Sequence, residues 1–352
     1  MYIVGLGTAC PEQRYTKEAC WTAFETSAWF VKLDRRSRMI AERVLLRDNG
    51  IAARRLAVDS LDDVFAIDPD TLHARFLTYA PALAIAAGQR ALVDAGLLAS
   101  DIDSVIISTC TGYLCPGLSS YVSEALGLRP DIQALDLVGQ GCGAALPNMR
   151  MGEALLASGR CTHVLSICVE VCSAAMYLDN DPGVLISACL FGDGAGAAVL
   201  STQPHAHRRR IRWQRAASIM SPADRDALRF EQRQGLLRNI LTLGVPKIAA
   251  TYAQHVLDSV LASEGVTKSD IVAWIWHAGG RDVLAAVRDR VGLSNEDMGY
   301  SAAMLSEYGN LSSAFVYFVL QLALAEDAPS GHWWLASFGA GFSSHGALLE
   351  VA

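Results

Sequence analysis

A cysteine, a histidine and an asparagine each stand beside a glycine turn in this 352-residue sequence, and together they suit acyl-transfer chemistry. The cysteine lies in Ile132-Gln133-Ala134-Leu135-Asp136-Leu137-Val138-Gly139-Gln140-Gly141-Cys142-Gly143-Ala144-Ala145-Leu146, where a strand runs into a tight turn and a helix follows at once. Glycines on both sides permit the strained backbone that presents one side chain at a corner, the mechanics of a nucleophile elbow. The start of the helix directs free N–H groups and a positive dipole end at the sulfur, which favours thiolate over thiol. Cys142 is therefore the candidate nucleophile, set against the ordinary role of a free cysteine as a small buried hydrophobe.

Of eight histidines, His277 alone ends a strongly apolar strand, Ile271-Val272-Ala273-Trp274-Ile275-Trp276, and opens a glycine turn, Ala278-Gly279-Gly280. Strand ends of this kind are where α/β proteins keep their sites. The third stretch is Ser306-Glu307-Tyr308-Gly309-Asn310-Leu311-Ser312-Ser313-Ala314-Phe315, feeding a helix that runs toward Ala325. Taken alone, Asn310 reads as the cap of that helix, since asparagine is among the best N-cap residues.

As a set the three residues do more. A cysteine attacks an acyl thioester, while His and Asn donate hydrogen bonds to a thioester oxygen that turns negative when a malonyl group loses carbon dioxide. That step needs an electrostatic sink and no metal, and no metal-ligand spacing is visible. Cys, His and Asn in this order also occur in papain-like proteases, with the His roughly 130–150 residues downstream. Here the spacing fits but the surroundings do not, because Cys142 lacks the protease signature and lies deep in alternating α/β sequence.

The elements that must hold these residues follow from periodicity. Strand-length apolar runs alternate with amphipathic helical segments, which predicts an α/β fold with covered, partly parallel sheets. A helix is expected from Pro81 to Ala95, stopped by Gly96, then a strand from Ile102 to Ser108, a helix from Pro147 to Ser158 and a strand from Thr162 to Val169. The two halves look alike. Ser108-Thr109-Cys110-Thr111-Gly112 ends a strand in the first as His277-Ala278-Gly279-Gly280 does in the second, and each half closes on a glycine turn and a final strand. The polar stretch from Thr202 to Arg210 is the natural seam, giving expected halves of 1–205 with the cysteine and 206–352 with the histidine and asparagine.

With 52% hydrophobic and 18% charged residues the chain has ample material for a core. A net charge of -7 argues against general affinity for nucleic acid. The basic cluster Arg208-Arg209-Arg210 reads as a solvated connector. Nine cysteines without metal-type pairs are expected as reduced thiols. No apolar run reaches the roughly 18–20 residues of a membrane span. The opening Tyr2-Ile3-Val4-Gly5-Leu6-Gly7 reads as a first strand rather than a leader, so a cytoplasmic protein is expected.

At Cys110-Thr111-Gly112, Gln140-Gly141-Cys142, Leu190-Phe191-Gly192-Asp193-Gly194, His277-Ala278-Gly279-Gly280 and Ser306 through Ser313, the sequence resembles the chalcone synthase superfamily, the type III polyketide synthases, and its bacterial members in particular. The likeness runs over nearly the whole chain. It implies a thiolase-like five-layered αβαβα fold, a homodimer, and iterative condensation of malonyl-CoA onto an acyl-CoA starter with no cofactor beyond those CoA thioesters. Cys142 matches the acyl-carrying nucleophile, and His277 and Asn310 match the pair that stabilises the decarboxylation enolate. Phe191 matches an aromatic gate between the CoA tunnel and the reaction cavity. Cys110, Cys172, Ala175 and Ser312 match cavity-lining positions. Cys172 stands where bacterial members that make resorcinols, pyrones or tetrahydroxynaphthalene often carry cysteine. Arg43 and Arg47, one helical turn apart, suit CoA phosphates, although a solvated helix face explains the pair equally.

Two segments depart from the family pattern. Gly339-Ala340-Gly341 lacks the usual proline, and Leu237-Arg238-Asn239-Ile240-Leu241, the region of a second gate, offers no aromatic. The leading expectation is a fatty acyl-CoA starter extended to an alkylpyrone or alkylresorcinol, with Ala175 and the missing aromatic opening room for an alkyl chain. Its rivals are a naphthol synthase fed by malonyl-CoA alone, a single-step ketoacyl synthase dependent on acyl carrier protein, and a catalytically silent thiolase-like subunit.

Overall fold

The computed structural model describes residues 1–47 and 49–352. β1 (Tyr2–Ala9) opens the chain, and a small hairpin of β2 (Arg14–Thr16) and β3 (Ala53–Arg55) brackets the helices α1 (Lys17–Thr26), α2 (Ala28–Lys32) and α3 (Arg35–Leu46). Side chains of Thr16, Ser27 and Asp34 cap these helices in turn.

The first half continues with α4 (Pro69–Ala95), β4 (Ser104–Ser108), α5 (Leu118–Leu126), β5 (Gln133–Leu137), α6 (Ala145–Ala157), β6 (His163–Glu170), α7 (Pro182–Leu190) and β7 (Gly194–Ser201). α4 ends at Gly96, in the left-handed conformation expected of a C-cap glycine, but it begins at Pro69 rather than Pro81. Asp68 supplies the true cap and Pro69 the first turn, so Pro81 is carried inside a 27-residue helix. Among the described residues α4 is the one helix long and apolar enough by composition to cross a membrane. Its charged residues interrupt any continuous apolar run, and Leu72, Phe76, Ala80, Ala84, Ala87 and Ala91 are buried in the core.

The second half holds β8 (Ile211–Met220), the hairpin of β9 (Leu228–Arg233) and β10 (Leu236–Leu241), α8 (Val245–Glu264), β11 (Ile271–Trp276), α9 (Arg281–Val291), α10 (Gly299–Tyr308), α11 (Phe315–Ala325), β12 (Gly331–Gly339) and β13 (Ser343–Val351). Nine strands form one sheet in the order β11-β12-β13-β8-β1-β7-β6-β4-β5. It divides between β8 and β1, which share only the pairs Tyr2↔Arg212 and Ile3↔Ile211. On each side the same order repeats. A first strand (β1 or β8) lies antiparallel to the last (β7 or β13), which lies antiparallel to β6 or β12, which is parallel to β4 or β11.

The layers are those of the thiolase-like αβαβα fold. α4 covers the first half-sheet and α8, with α9 packed against it, covers the second, while α6 and α11 touch strands of both halves and form the middle layer. The chain crosses between halves through residues 202–210, and the basic cluster there is solvated and ion-paired: Arg208 meets Asp94, and Arg210 lies 3.8 Å from Glu350. The repeat fixes the site. Cys142 precedes α6 as Asn310 precedes α11, and Cys110 follows β4 as His277 follows β11, so all four come together at one end of the middle layer.

Candidate active site

β5 stops at Leu137, Gly139 and Gly141 take positive φ of 83° and 56°, and Gly141-Cys142-Gly143 forms a single 3-10 turn before α6 begins at Ala145. This turn interlocks with the glycine loop of the other half. A Cβ on Gly339 would lie 2.2 Å from the Gln140 carbonyl oxygen, and one on Gly143 would lie 3.0 Å from Gly339 and 3.1 Å from the His345 ring. Ser337 Oγ donates to the Gly143 carbonyl at 3.0 Å. Close backbone approach here explains a glycine-rich loop that needs no proline.

His277 leaves the end of β11 with its N–H bonded to the Ala336 carbonyl at 2.9 Å, and its ring meets Phe315 edge-on at 5.5 Å. It is buried, and Nδ1 has no partner among the described residues. Asn310 is not the cap of α11, whose N-cap is Ala314. Its Oδ1 accepts from the Ser312 N–H at 2.8 Å and its Nδ2 donates to the Gly279 carbonyl at 3.2 Å, so the carboxamide ties its own turn to that of His277. Its backbone forms an isolated bridge with Phe191, just past the end of α7: Asn310 N–H donates to the Leu190 carbonyl and Gly192 N–H donates to the Asn310 carbonyl.

Cys142, His277 and Asn310 all face an outer cavity of about 560 Å³ whose wall also carries Arg43 and Arg47. A smaller inner chamber of about 50 Å³ is lined by Cys110, Cys172, Ala175, Ser312 and again Cys142. Phe191 belongs to both walls, at their contact. Every residue singled out from the sequence thus lies on one of two adjoining spaces that meet at Cys142 and Phe191.

Three residues escaped the sequence reading. Glu170, the last residue of β6, is fully buried, and its carboxylate accepts from the Cys110 N–H and the Thr111 hydroxyl at 3.0 Å each and from the Ser313 hydroxyl. Ser312 Oγ lies 3.3 Å from both Glu170 Oε1 and Cys142 Sγ, which links the carboxylate to the Cys142 sulfur. Phe230 supplies an aromatic that had seemed missing from Leu237 through Leu241. It stands on β9, directly across from Asn239, and lines the inner chamber. Asn239 itself lies on the walls of both cavities. The Gln234-Gly235 turn, with φ of 54° and 79°, marks a two-residue hairpin that would have located both.

Burial dominates the electrostatics. It pushes the Cys142 thiol up to about 12 against the opposing bond from Ser312, and it pushes His277 down to about 3. The expected resting thiolate is therefore corrected. α6 starts three residues after the sulfur, and desolvation outweighs the dipole. At neutral pH the pair is thiol and neutral imidazole, both able to donate a proton. Burial also raises Glu170, partly offset by the hydroxyls around it.

Residues 11–229 match the family profile described as FAE1/Type III polyketide synthase-like protein, and residues 216–349 match the chalcone and stilbene synthase C-terminal domain. The chain is similar to a 1,3,6,8-tetrahydroxynaphthalene synthase of Streptomyces peucetius subsp. caesius, 34% identical over 320 residues that cover 88% of this chain and 84% of the relative. It is also similar to a 3,5-dihydroxyphenylacetyl-CoA synthase of Streptomyces toyocaensis, 29% identical over 99% of this chain and 89% of the relative. Among solved structures, PKS-I of the brown alga Ectocarpus siliculosus superposes with a TM-score of 0.90 at 24% identity, over 99% of this chain and 98% of that one. The 1,3,6,8-tetrahydroxynaphthalene synthase of Streptomyces coelicolor A3(2) does so with a TM-score of 0.87 at 24% identity, over 99% of each chain.

Proposed function

This chain belongs to the chalcone and stilbene synthase family of type III polyketide synthases, and on that premise we propose that it builds an aromatic polyphenol from malonyl-CoA, on Cys142, without a fatty acyl starter. The observation that carries the choice of starter is the pair of products named for the relatives. Phe230 and Phe191 both stand on the wall of the inner chamber beside Cys142. The products named for the two relatives, a tetrahydroxynaphthalene and a dihydroxyphenylacetyl thioester, carry oxygen on alternate carbons and no alkyl chain.

In this reading Cys142 Sγ attacks the carbonyl of a starter thioester as the imidazole of His277 takes its proton. The bond to the CoA sulfur breaks and CoA leaves as the thiol, carrying that proton away. Malonyl-CoA then occupies the outer cavity, its phosphates against Arg43 and Arg47. Loss of carbon dioxide leaves an enolate whose oxygen accepts hydrogen bonds from neutral His277 and Asn310. The enolate carbon attacks the acyl carbonyl on Cys142, a carbon–carbon bond forms as the carbon–sulfur bond breaks, the sulfur leaves as thiolate, and the lengthened chain, now on CoA, returns to Cys142 by the same thioester exchange for the next round. A neutral imidazole donates to the developing oxyanion without an ion pair that would stabilise the malonyl carboxylate in the ground state.

The outer strand β5 has Gln133, Ala134 and Asp136 exposed and runs on to Val138, 64% exposed, so an unprotected sheet edge with an apolar end is left for a second copy of the chain. We take the enzyme to be a homodimer through that edge.

Purified enzyme incubated with malonyl-CoA alone, and with acyl-CoAs of increasing length, tests the reading by mass spectrometry of the products. Polyphenol from malonyl-CoA alone is expected, with no gain from long starters. Products formed only when a fatty acyl-CoA is supplied would overturn it in favour of alkylpyrone or alkylresorcinol synthesis. Strict dependence on acyl carrier protein would favour a ketoacyl synthase.

A further inference from the structure

Four residues lie on the walls of both the outer cavity and the inner chamber: Cys142, Phe191, Leu228 and Asn239. Three are the nucleophile and two hydrophobic side chains. The fourth carries a carboxamide whose Oδ1 is buried and meets no hydrogen-bond donor among the described residues. A buried acceptor left unpaired forfeits its hydrogen bond to water with nothing in return, so native proteins rarely keep one without use. Leucine in place of Asn239 would fill the same space without that cost.

Nothing in the local structure demands the amide. Asn239 sits in β10 with its backbone paired to Phe230, and the hairpin is fixed by its neighbour instead. Arg238 Nε lies 2.8 Å from Asp179 and Nη1 lies 3.0 Å from Glu231, anchoring β10 to β9 and to the loop before α7. The backbone that carries Asn239 is therefore held by contacts that do not involve its carboxamide.

We infer that Asn239 Oδ1 accepts the amide N–H of the pantetheine arm that lies nearest the thioester sulfur. In every CoA thioester that nitrogen is two methylenes from the sulfur. When the carbonyl carbon stands at Cys142, the arm leads from the contact of the two cavities into the outer one and runs alongside Asn239. An N–H is the donor that an orphaned carbonyl oxygen requires. The bond forms whatever the acyl group is, so Asn239 positions the thioester and does not select the chain. The growing chain, by contrast, lies in the inner chamber, and only its enol forms offer a donor.

This inference rests on the reading of Cys142 as a thioester acceptor. Its test compares two synthetic starter thioesters, an N-acetylcysteamine thioester and its isostere with a methylene in place of the amide nitrogen, on wild type, Asn239→Leu and Asn239→Ala. The expected result is that both variants lose about tenfold in kcat/KM for acylation by the amide thioester, what one such hydrogen bond is worth. With the methylene isostere they should match wild type. Asn239→Leu should also melt no lower than wild type, since it removes an unpaired polar atom, whereas a structural role would lower the melting temperature. Equal losses on both thioesters would overturn the inference in favour of a shape effect, and unchanged acylation with altered product length would overturn it in favour of a contact to the growing chain. Wild type inert to both thioesters would instead sink the reading of Cys142 itself.

Discussion

Ser312 Oγ stands 3.3 Å from Cys142 Sγ, although 170 residues separate them in the chain. The hydroxyl comes from the turn that presents Asn310, and it is the one bonded neighbour that pulls the thiol toward ionisation. Ser312 holds φ of 51°, in the left-handed region that a side chain makes costly. Ser312→Ala should therefore slow acylation of Cys142 by roughly tenfold, and Ser312→Gly should slow it as much. The two should part in stability, with the glycine variant more stable than the alanine variant by about 1 kcal/mol because glycine takes that backbone freely. Acylation kinetics and denaturant melts read the two effects separately.

Stability should fall on the acid side through two buried histidines. His277 is lowered to about 3 and His345 to about 4 from 6.5, both by burial. Between 6.5 and those values the unfolded chain binds protons that the folded chain refuses, so stability is full above pH 6.5 and declines as pH falls, at up to about 1.4 kcal/mol per pH unit per group. Glu170 and Asp193, raised by burial, act in the opposite sense over part of that range. The histidine share is isolated by comparison. Melting temperatures of wild type and His345→Gln from pH 8 to about 4 should converge as pH falls, because only the wild type carries the His345 penalty.

Gly339→Ala should damage catalysis more than folding. The added Cβ would meet the Gln140 carbonyl oxygen at 2.2 Å, and the turn that carries Cys142 must move to make room. An overpacked contact of this kind costs about 1–3 kcal/mol, while a displacement near 1 Å at a reacting atom costs about a hundredfold in rate. Melts and steady-state rates on the one variant test both.

Arg43→Ala and Arg47→Ala should each raise KM for CoA thioesters on the order of tenfold and leave kcat unchanged, the mark of a contact made equally in ground and transition states. Both side chains are exposed on the outer cavity wall, Arg43 in the last turn of α3 and Arg47 at its C-cap, on a segment separate from those that carry Cys142, His277 and Asn310. The effect should shrink at high salt. If N-acetylcysteamine thioesters showed the same rise, the arginines would not be phosphate contacts.

What the sequence revealed and what it hid follow one rule. Cys142, His277 and Asn310 are announced locally, because each stands at a turn whose glycines mark where a strand or helix must break. Phe191 and the lining residues became visible through the motifs around them. Glu170 has no such signal: it is one acid at the end of an apolar strand, and its partners Cys110, Thr111, Ser312 and Ser313 arrive from two other segments. Phe230 was hidden by hairpin register, since only pairing with Asn239 turns it toward the chamber. The start of α4 was missed because Pro81 reads as a boundary, yet Asp68 and Pro69 form a better one. The thiol's protonation was misjudged because a helix dipole is legible in sequence and burial is not.

The most direct measurement is peptide mapping of enzyme quenched during turnover with malonyl-CoA, for wild type, Cys142→Ala, His277→Gln and Asn310→Ala. The expected result is an acyl group on Cys142 in wild type. Cys142→Ala should carry none and yield no product, while the His277 and Asn310 variants should lose malonyl decarboxylation by at least about a hundredfold. An acyl group found on Cys110 or Cys172 instead, or product formed at the wild-type rate by Cys142→Ala, would contradict it.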